Sequence, residues 1–185
     1  MNDYGLTERQ VSSEVVFKGH VFKAKYDTVE TPNGKIRPRE IIEHPGGAVV
    51  IPVLPNGEVL LVRQYRYAVR QVLYEFPAGK LEPGELPLAT IQRELEEETG
   101  YHAAFWEEIT HLYACPGFSN ERLSLFKAEG LTLVDTPRRE EDEHLEVVQM
   151  TLQQVAAMIR NQEIIDAKTV CLLALTYPEV LACSS

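Results

Sequence analysis

The chain has 185 residues, 44% of them hydrophobic, which is enough for one domain with a proper core and too little for two full domains. Its 28 acidic and 18 basic side chains give a net charge of -10, which opposes affinity for nucleic acid and for anionic membranes. No apolar run approaches the roughly 18 residues that span a bilayer, the three cysteines lack metal-ligand spacing, and the start has no signal-peptide pattern. We expect a soluble, cytoplasmic protein with reduced thiols.

The N-terminal region predicts a small antiparallel β unit. Residues 14–30 mix β-branched and aromatic residues in partial alternation, which is typical of strands. The Asn-Gly pair in residues 31–34 is a strong hairpin signal, and residues 35–42 alternate again. We therefore expect a β unit over residues 1–45, followed by a main domain over residues 46–185.

The main domain reads as a mixed α/β arrangement. Residues 48–54 are an apolar run that predicts a buried strand, and the turn at residues 55–57 predicts a hairpin whose second strand is residues 58–63. Further strands are predicted at residues 72–76, 107–113 and 123–129 and from residue 147. Apolar residues at helical spacing predict two helices that cover one sheet face, residues 151–161 and 167–177, with Thr151 and Asp166 as N-caps.

Residues 79–101, GKLEPGELPLATIQRELEEETGY, carry the most informative pattern. Residues 88–99 hold strong helix formers and end at Gly100, a residue type preferred just beyond a helix. Glu94, Glu97 and Glu98 are three or four residues apart, so they project from one helix face, where their like charges repel. A bound Mg²⁺ would offset that repulsion, because Mg²⁺ takes oxygen ligands and substrate phosphates. The alternative is an acidic face that only meets water.

The same stretch matches, without a gap, the signature G-x5-E-x7-R-E-U-x-E-E-x-G-U, and the chain therefore resembles the Nudix hydrolases. Tyr101 stands where the family usually has an aliphatic residue. The resemblance implies an α/β fold, a Nudix-type α/β/α sandwich with a mixed sheet, plus the small N-terminal antiparallel β unit. The matching positions are Gly79, Glu85, Arg93, Glu94, Leu95, Glu97, Glu98 and Gly100.

By this resemblance, the chain hydrolyses the pyrophosphate of a nucleoside diphosphate derivative with Mg²⁺, for which Mn²⁺ can substitute. Glu97 and Glu98 are the implied catalytic residues of the motif, and Gly79 and Gly100 are structural. We interpret Arg93 as a clamp whose fork holds Glu85 and fixes the loop against the helix, because a cation aimed at the metal would repel it. The implied metal ligands are Glu94, Glu98, Glu97 and the carbonyl of Ala78.

Flanking motifs narrow the resemblance to the ADP-ribose pyrophosphatase branch. They are RQYR at residues 63–66, EFPAG at 75–79, PGFSNE at 116–121, Arg39-Glu40, and DAKT at 166–169. Within that branch Arg66 would contact a substrate phosphate, and Arg39 and Glu40 would lie near the nucleotide. An N-terminal aromatic side chain would stack on the adenine, and we choose Phe22 from the set Phe17, Phe22 and Tyr26. Packing in the core is an equally good interpretation of each of these three side chains.

The branch often places its catalytic base on a late acidic loop. Residues 138–146, RREEDEHLE, offer Glu143 as the base, and a solvated loop is the alternative interpretation. The rivals of Glu143 are Glu140, Glu141 and Asp142. Family members of this kind are homodimers whose N-terminal β unit helps to build the adenosine pocket, and we expect the same here.

The leading hypothesis is Mg²⁺-dependent hydrolysis of ADP-ribose to AMP and ribose 5-phosphate. A second enzyme hypothesis keeps the mechanism but takes another nucleoside diphosphate derivative, such as an ADP-sugar, another NDP-sugar or a dinucleotide. A hypothesis of a different class is a sensor that binds ADP-ribose without turnover. The intact acids Glu94, Glu97 and Glu98 argue against that sensor.

Overall fold

The computed structural model describes residues 5–134 and 144–182. The described chain forms two compact units. The first contains the N-terminal residues up to Gly46 together with Tyr113–Arg122, and the second contains Gly47–Leu112 and the residues from Leu123 onward. The Tyr113–Arg122 segment was not part of the predicted N-terminal unit, because it lies some 70 residues further along the chain.

The first unit is a three-stranded antiparallel sheet in the order β1-β2-β3. Its strands are β1 (Arg9–Lys18), β2 (Lys23–Glu30) and β3 (Ile36–Glu43). The predicted strand region at residues 14–30 is thus two strands, and the first begins earlier than predicted. Gly34 has φ 76°, a left-handed conformation that closes the turn between β2 and β3.

The Tyr113–Arg122 segment is bonded to the end of β3. The Ile42 amide donates to the carbonyl of Phe118 at 2.7 Å, and the Asn120 amide donates to the carbonyl of Ile42 at 3.2 Å. The amide of His44 donates to Oδ1 of Asn120 at 2.8 Å. These bonds extend the small sheet with a loop that belongs to a distant part of the sequence.

The second unit contains two sheets. A four-stranded sheet has the order β7-β4-β9-β8, with β4 antiparallel to β7 and parallel to β9, and is therefore mixed. An antiparallel three-stranded sheet has the order β10-β5-β6. The strands are β4 (Gly47–Pro52), β5 (Glu58–Arg66), β6 (Gln71–Glu75), β7 (Ala78–Lys80), β8 (Tyr101–Tyr113), β9 (Arg122–Leu133) and β10 (Leu145–Thr151).

The predicted hairpin turn at residues 55–57 is present, but the predicted pairing of β4 with β5 is wrong. The turn is closed by the Leu54 amide, which donates to the Glu58 carbonyl at 2.8 Å, and by an antiparallel bridge between Val53 and Val59, just beyond the end of β4. The edges of β4 are taken by β7 and β9, so β5 passes into the other sheet and pairs with β6 and β10. The apolar run at residues 48–54 predicts burial correctly, but it does not say which strand lies beside it.

Helices cover both sides of the sheet layer, as the α/β/α prediction requires. The helices are α1 (Pro87–Thr99), α2 (Leu152–Arg160), α3 (Ala167–Thr176) and the short α4 (Pro178–Leu181), which was not predicted. On one side α1 packs through Ile91 and Leu95. On the other side α2 and α3 pack against a second cluster that includes Val49, Ile51, Leu61 and Phe76.

The helix ends follow the sequence signals. Gly100 caps α1 in the left-handed conformation, with φ 78°. Thr151 and Gln154 form a capping box at the start of α2, and the Asp166 side chain accepts from the Thr169 amide at the start of α3. Among these described helices, none has the length and apolar character needed to cross a membrane.

Candidate active site

Arg93 holds the loop that precedes α1. Its Nε and Nη2 donate to the two carboxylate oxygens of Glu85, each at 3.2 Å, in a fork that fixes both side chains. This bonding lowers the pKa of Glu85 to about 2 and raises the pKa of Arg93. The contact expected from the sequence is therefore present, and it connects residue 85 to the middle of the helix.

Arg93 also contacts two acids on its own helix, which the sequence did not predict. Its Nη1 donates to Oε1 of Glu94 at 2.9 Å and to Oε2 of Glu97 at 2.8 Å. The Arg93 guanidinium therefore donates hydrogen bonds to three carboxylates and reduces the electrostatic repulsion among them. Rotamer choice brings these groups together, and residue spacing alone does not specify it.

Gly79 leaves room for the Glu94 side chain. A Cβ atom built on Gly79 would lie 2.1 Å from Cγ, Cδ and Oε1 of Glu94, far inside van der Waals contact. The glycine of the motif is thus required here by close packing against a carboxylate, and its φ is not left-handed. Strand β7 and helix α1 meet at this point.

Glu98 is buried, with only 2% of its surface exposed. Its Oε2 accepts the amide hydrogen of Ala78 at 3.2 Å. This hydrogen bond aligns the Glu98 carboxylate with the backbone of β7. Ala78 is adjacent to Gly79, against which Glu94 packs. The structure thus brings Ala78, Gly79, Glu94 and Glu98 together, and their predicted role in binding a cation stays a prediction.

An ionic network adjoins this region. Glu75 is 1% exposed, and its two oxygens accept from Nε and Nη2 of Arg66 at 2.7 and 2.8 Å. Lys168 also donates to Glu75, and it donates to Asp166 at 2.8 Å. Burial alone would raise the pKa of Glu75, but Arg66 and Lys168 outweigh it and hold that pKa below its ordinary value.

Sequence reasoning gave no role to Glu75 or Lys168. The sequence signal that could have identified Glu75 is its place between Tyr74 and Phe76 in an apolar segment, because an acid that is buried with its neighbours needs a cationic partner. Arg66, predicted to contact a phosphate, is held by Glu75 through two of its three nitrogens. The arrangement orients Arg66, and a substrate contact of this residue stays a prediction.

The donors near Gly79 fit a hard divalent cation. They are carboxylates on one rigid helix next to backbone of β7, and Mg²⁺ favours oxygen ligands. Within residues 5–134 and 144–182, no group of three or more acidic, His or Cys side chains forms a ready-made cage. That is compatible with Mg²⁺, which is usually held by one or two carboxylates together with substrate phosphates.

The residues predicted to bind the nucleotide lie in the first unit. Arg39 donates to Glu8 through Nε at 2.9 Å and also through Nη2. Arg39 and Glu40 line a cavity of about 600 Å³, and Glu40 also lines a second, largely apolar cavity of about 440 Å³ with Tyr26 and Phe118.

The candidate stacking residues are all exposed in the described chain. The rings of Phe17 and Phe22 lie 5.7 Å apart, and Tyr26 lines the apolar cavity. Core packing within the chain therefore does not account for these aromatics. The predicted base, Glu143, and its rivals Glu140, Glu141 and Asp142 lie outside the described residues.

Comparison with known families adds independent findings. Residues 43–173 match the profile described as NUDIX domain. Residues 8–42 match the profile described as nucleoside diphosphate sugar hydrolase N-terminal domain. The two matches together extend from residue 8 to residue 173.

Individual relatives span most of the chain. An "ADP-ribose pyrophosphatase" of Bacillus subtilis (strain 168) is 42% identical over 165 residues, which is 89% of each chain. A "Methanol dehydrogenase activator" of Bacillus methanolicus is 39% identical over 164 residues, 88% of this chain and 89% of the relative. A solved structure titled "Crystal structure of ADP compounds hydrolase" aligns with a TM-score of 0.81 over 93% of each chain. Its sequence identity is 21%, so it shows the shared fold.

Proposed function

Because the chain belongs to the Nudix hydrolase family, we propose that it hydrolyses ADP-ribose to AMP and ribose 5-phosphate with the help of Mg²⁺. The observation that carries this proposal is the placement of Glu94 and Glu98 beside Ala78 and Gly79, next to a buried ionic network. The relative named for ADP-ribose, at 42% identity over most of both chains, supports this substrate.

Glu94, Glu98 and the carbonyl of Ala78 would hold the cation, and Glu97 would hold a further ion or its waters. When bound, Mg²⁺ or Mn²⁺ neutralises diphosphate charge and activates water. The chain supplies the rigidity: the Ala78 amide fixes Glu98, Gly79 admits Glu94, and Arg93 ties the helix to its preceding loop.

Hydrolysis adds the oxygen of water to one phosphorus, breaks the bridging P–O bond, and releases one proton that a base must take. We propose Glu143 as that base, among residues 140–143. Arg66, oriented by Glu75, would place its remaining nitrogen against a phosphate. Arg39 and Glu40 would contact the nucleotide, and Phe22, from the set Phe17, Phe22 and Tyr26, would stack on its base.

Substrates of the wider class are the second candidate. The match of residues 8–42 to a nucleoside diphosphate sugar hydrolase domain favours a sugar linked to the diphosphate. Product analysis with Mg²⁺ decides between the candidates: we expect AMP release from ADP-ribose to exceed release of nucleotide from other ADP-sugars, GDP-sugars and dinucleotides. Equal rates on several of these would refute the ADP-ribose assignment and leave the hydrolase assignment standing.

Glu98→Gln tests the hydrolase assignment itself. It removes one charge at a buried carboxylate whose geometry the amide can retain, so we expect most turnover to be lost while the fold persists. Glu96→Gln is the matched control, because Glu96 lies on the same helix but is exposed and paired with His102. Wild-type turnover in Glu98→Gln would contradict the proposed cation site.

We further propose that the active form is a homodimer, with a second copy covering the first unit. All ten residues of β1 are exposed, and β1 is an edge strand that carries exposed Val11, Val15 and Phe17. Such an edge is a template for pairing. We expect sedimentation to give a dimer for the wild type and a monomer for the double variant Val15→Asp with Phe17→Asp. A wild-type monomer would refute this proposal.

We also propose a cytoplasmic location, with which the free thiols of Cys115 and Cys171 accord.

A further inference from the structure

A buried hydroxyl connects helix α3 to the segment between β6 and β7. Thr169 is fully buried, and its Oγ1 lies 2.9 Å from the Phe76 amide nitrogen and 2.7 Å from Oδ2 of Asp166. Since the amide can only donate, the hydroxyl accepts there and gives its own hydrogen to Asp166. The direction of both hydrogen bonds is therefore fixed.

The segment that Thr169 holds leads directly to the proposed cation site. The carbonyl of Pro77 accepts from the Val50 amide at 3.0 Å, and the Ala78 amide donates to Glu98. Phe76 is itself fully buried, so its side chain cannot shift without disturbing the core. A change in the position of the Phe76 amide is thus transmitted within two residues to the backbone that aligns Glu98.

We infer that Thr169 is a positioning residue for the cation site: its hydroxyl fixes the Phe76–Pro77–Ala78 backbone, and that backbone fixes Glu98. This inference rests on the proposed function, because it concerns the same site. Thr169 bonds to Phe76 and Asp166 and acts on the cation site only through them. Its contribution should be seen in cation affinity, beyond any effect on stability.

Two substitutions separate the hydroxyl from the packing. Thr169→Val keeps the side-chain shape but leaves the buried Phe76 amide without its acceptor, which lowers stability. Thr169→Ser keeps the hydroxyl and loses one buried methyl group, which also lowers stability. Both variants should therefore be less stable than the wild type, but only the valine variant lacks the hydrogen bond.

The deciding measurement is Mn²⁺ binding, followed by electron paramagnetic resonance with and without AMP, and folding is checked by circular dichroism at the same temperature. We expect Thr169→Val to weaken Mn²⁺ binding by about 10-fold, the lower end of the effect of removing a group that bonds directly to a metal ligand, because Thr169 acts through the backbone. Thr169→Ser should bind Mn²⁺ as the wild type does.

Wild-type Mn²⁺ affinity in a folded Thr169→Val protein would overturn the inference. A Thr169→Ser protein that binds Mn²⁺ about 10-fold or more weakly than the wild type would also overturn it, and this comparison needs only a folded serine variant. A wild-type protein that binds no Mn²⁺, either alone or with AMP present, would instead refute the proposed function and, with it, the site that Thr169 is inferred to position.

Discussion

Gly79→Ala tests the site with one methyl group. The added Cβ would lie 2.1 Å from three atoms of the Glu94 side chain, whereas ordinary carbon contacts are about 3.5 to 4.0 Å. Gly79 is not in the left-handed region, so alanine meets no backbone strain at this position. The destabilising effect of the substitution is therefore expected to come mainly from the collision with Glu94.

The cost in stability should be modest, because Glu94 can rotate away from the new methyl group. An unfavourable side-chain rotamer costs about 0.5 to 1.5 kcal/mol. Loss of the partly buried Arg93–Glu94 contact, 2.9 Å long, adds up to about 1 kcal/mol. The total loss of stability is about 0.5 to 2.5 kcal/mol, which at about 2 to 4 °C per kcal/mol lowers Tm by about 1 to 10 °C.

The cost in function should be larger, because the rotated Glu94 no longer faces the backbone of β7. We expect Mn²⁺ affinity and turnover to fall by about 10-fold to 100-fold, as for other disturbed metal sites. Calorimetric titration with Mn²⁺ and an ADP-ribose hydrolysis assay measure the two effects. Gly5→Ala is the matched control, since its Cβ would meet nothing within 4 Å.

Adding Glu94→Ala to Gly79→Ala removes the collision, so Tm should recover part of its loss while Mn²⁺ affinity does not. Wild-type affinity and turnover in the single Gly79→Ala variant would refute the reasoning. So would a double variant that binds Mn²⁺ as the wild type does.

Two further substitutions test the ionic contacts. Glu75→Gln leaves Arg66 and Lys168 without their buried counter-ion, so we expect denaturant unfolding to show a loss of about 3 kcal/mol; a loss below about 1 kcal/mol would contradict this. Glu85→Gln should lower Tm at neutral pH, because the lowered pKa of Glu85 contributes stability above its ordinary value of 4.5, and that stability is lost as pH falls toward about 2. The Tm difference from wild type should shrink in thermal melts below about pH 4.5, and a constant difference would exclude this role for the Arg93 pair.

Local sequence signals predicted the helices well. The helix predicted at residues 88–99 is Pro87–Thr99, and Gly100, Thr151 and Asp166 all cap as expected. Caps and turns depend on residues a few positions apart, so a single sequence specifies them. The family signature also identified the acids that lie near β7. It could do so because the signature covers one loop and one helix, so its acids are close together in the sequence.

Non-local partners were not predictable in the same way. The apolar sequence of β4 predicts burial, yet β7 and β9 rather than β5 occupy its edges. Likewise, nothing near residues 113–122 indicates that this segment bonds to the end of β3. Pairing of this kind depends on which of several strands binds a given strand edge most favourably. The composition of one strand does not determine that choice.

Side-chain contacts are the third kind of feature, and the sequence predicted them only in part. The spacing predicted the contact of Arg93 with Glu85, but not its bonds to Glu94 and Glu97. The hydroxyl of Thr169 reaches Phe76 across 93 residues of sequence. Such contacts depend on rotamers that are chosen only when the surrounding core is complete.

The bonds that Arg93 makes to Glu94 and Glu97 give the acidic helix a counter-ion of its own. The chain can therefore form this helix without a bound cation. Small zinc domains differ in this respect, because their ligands come together only around the ion. If the proposed cation site is correct, removing the divalent cation should stop turnover and leave the chain folded.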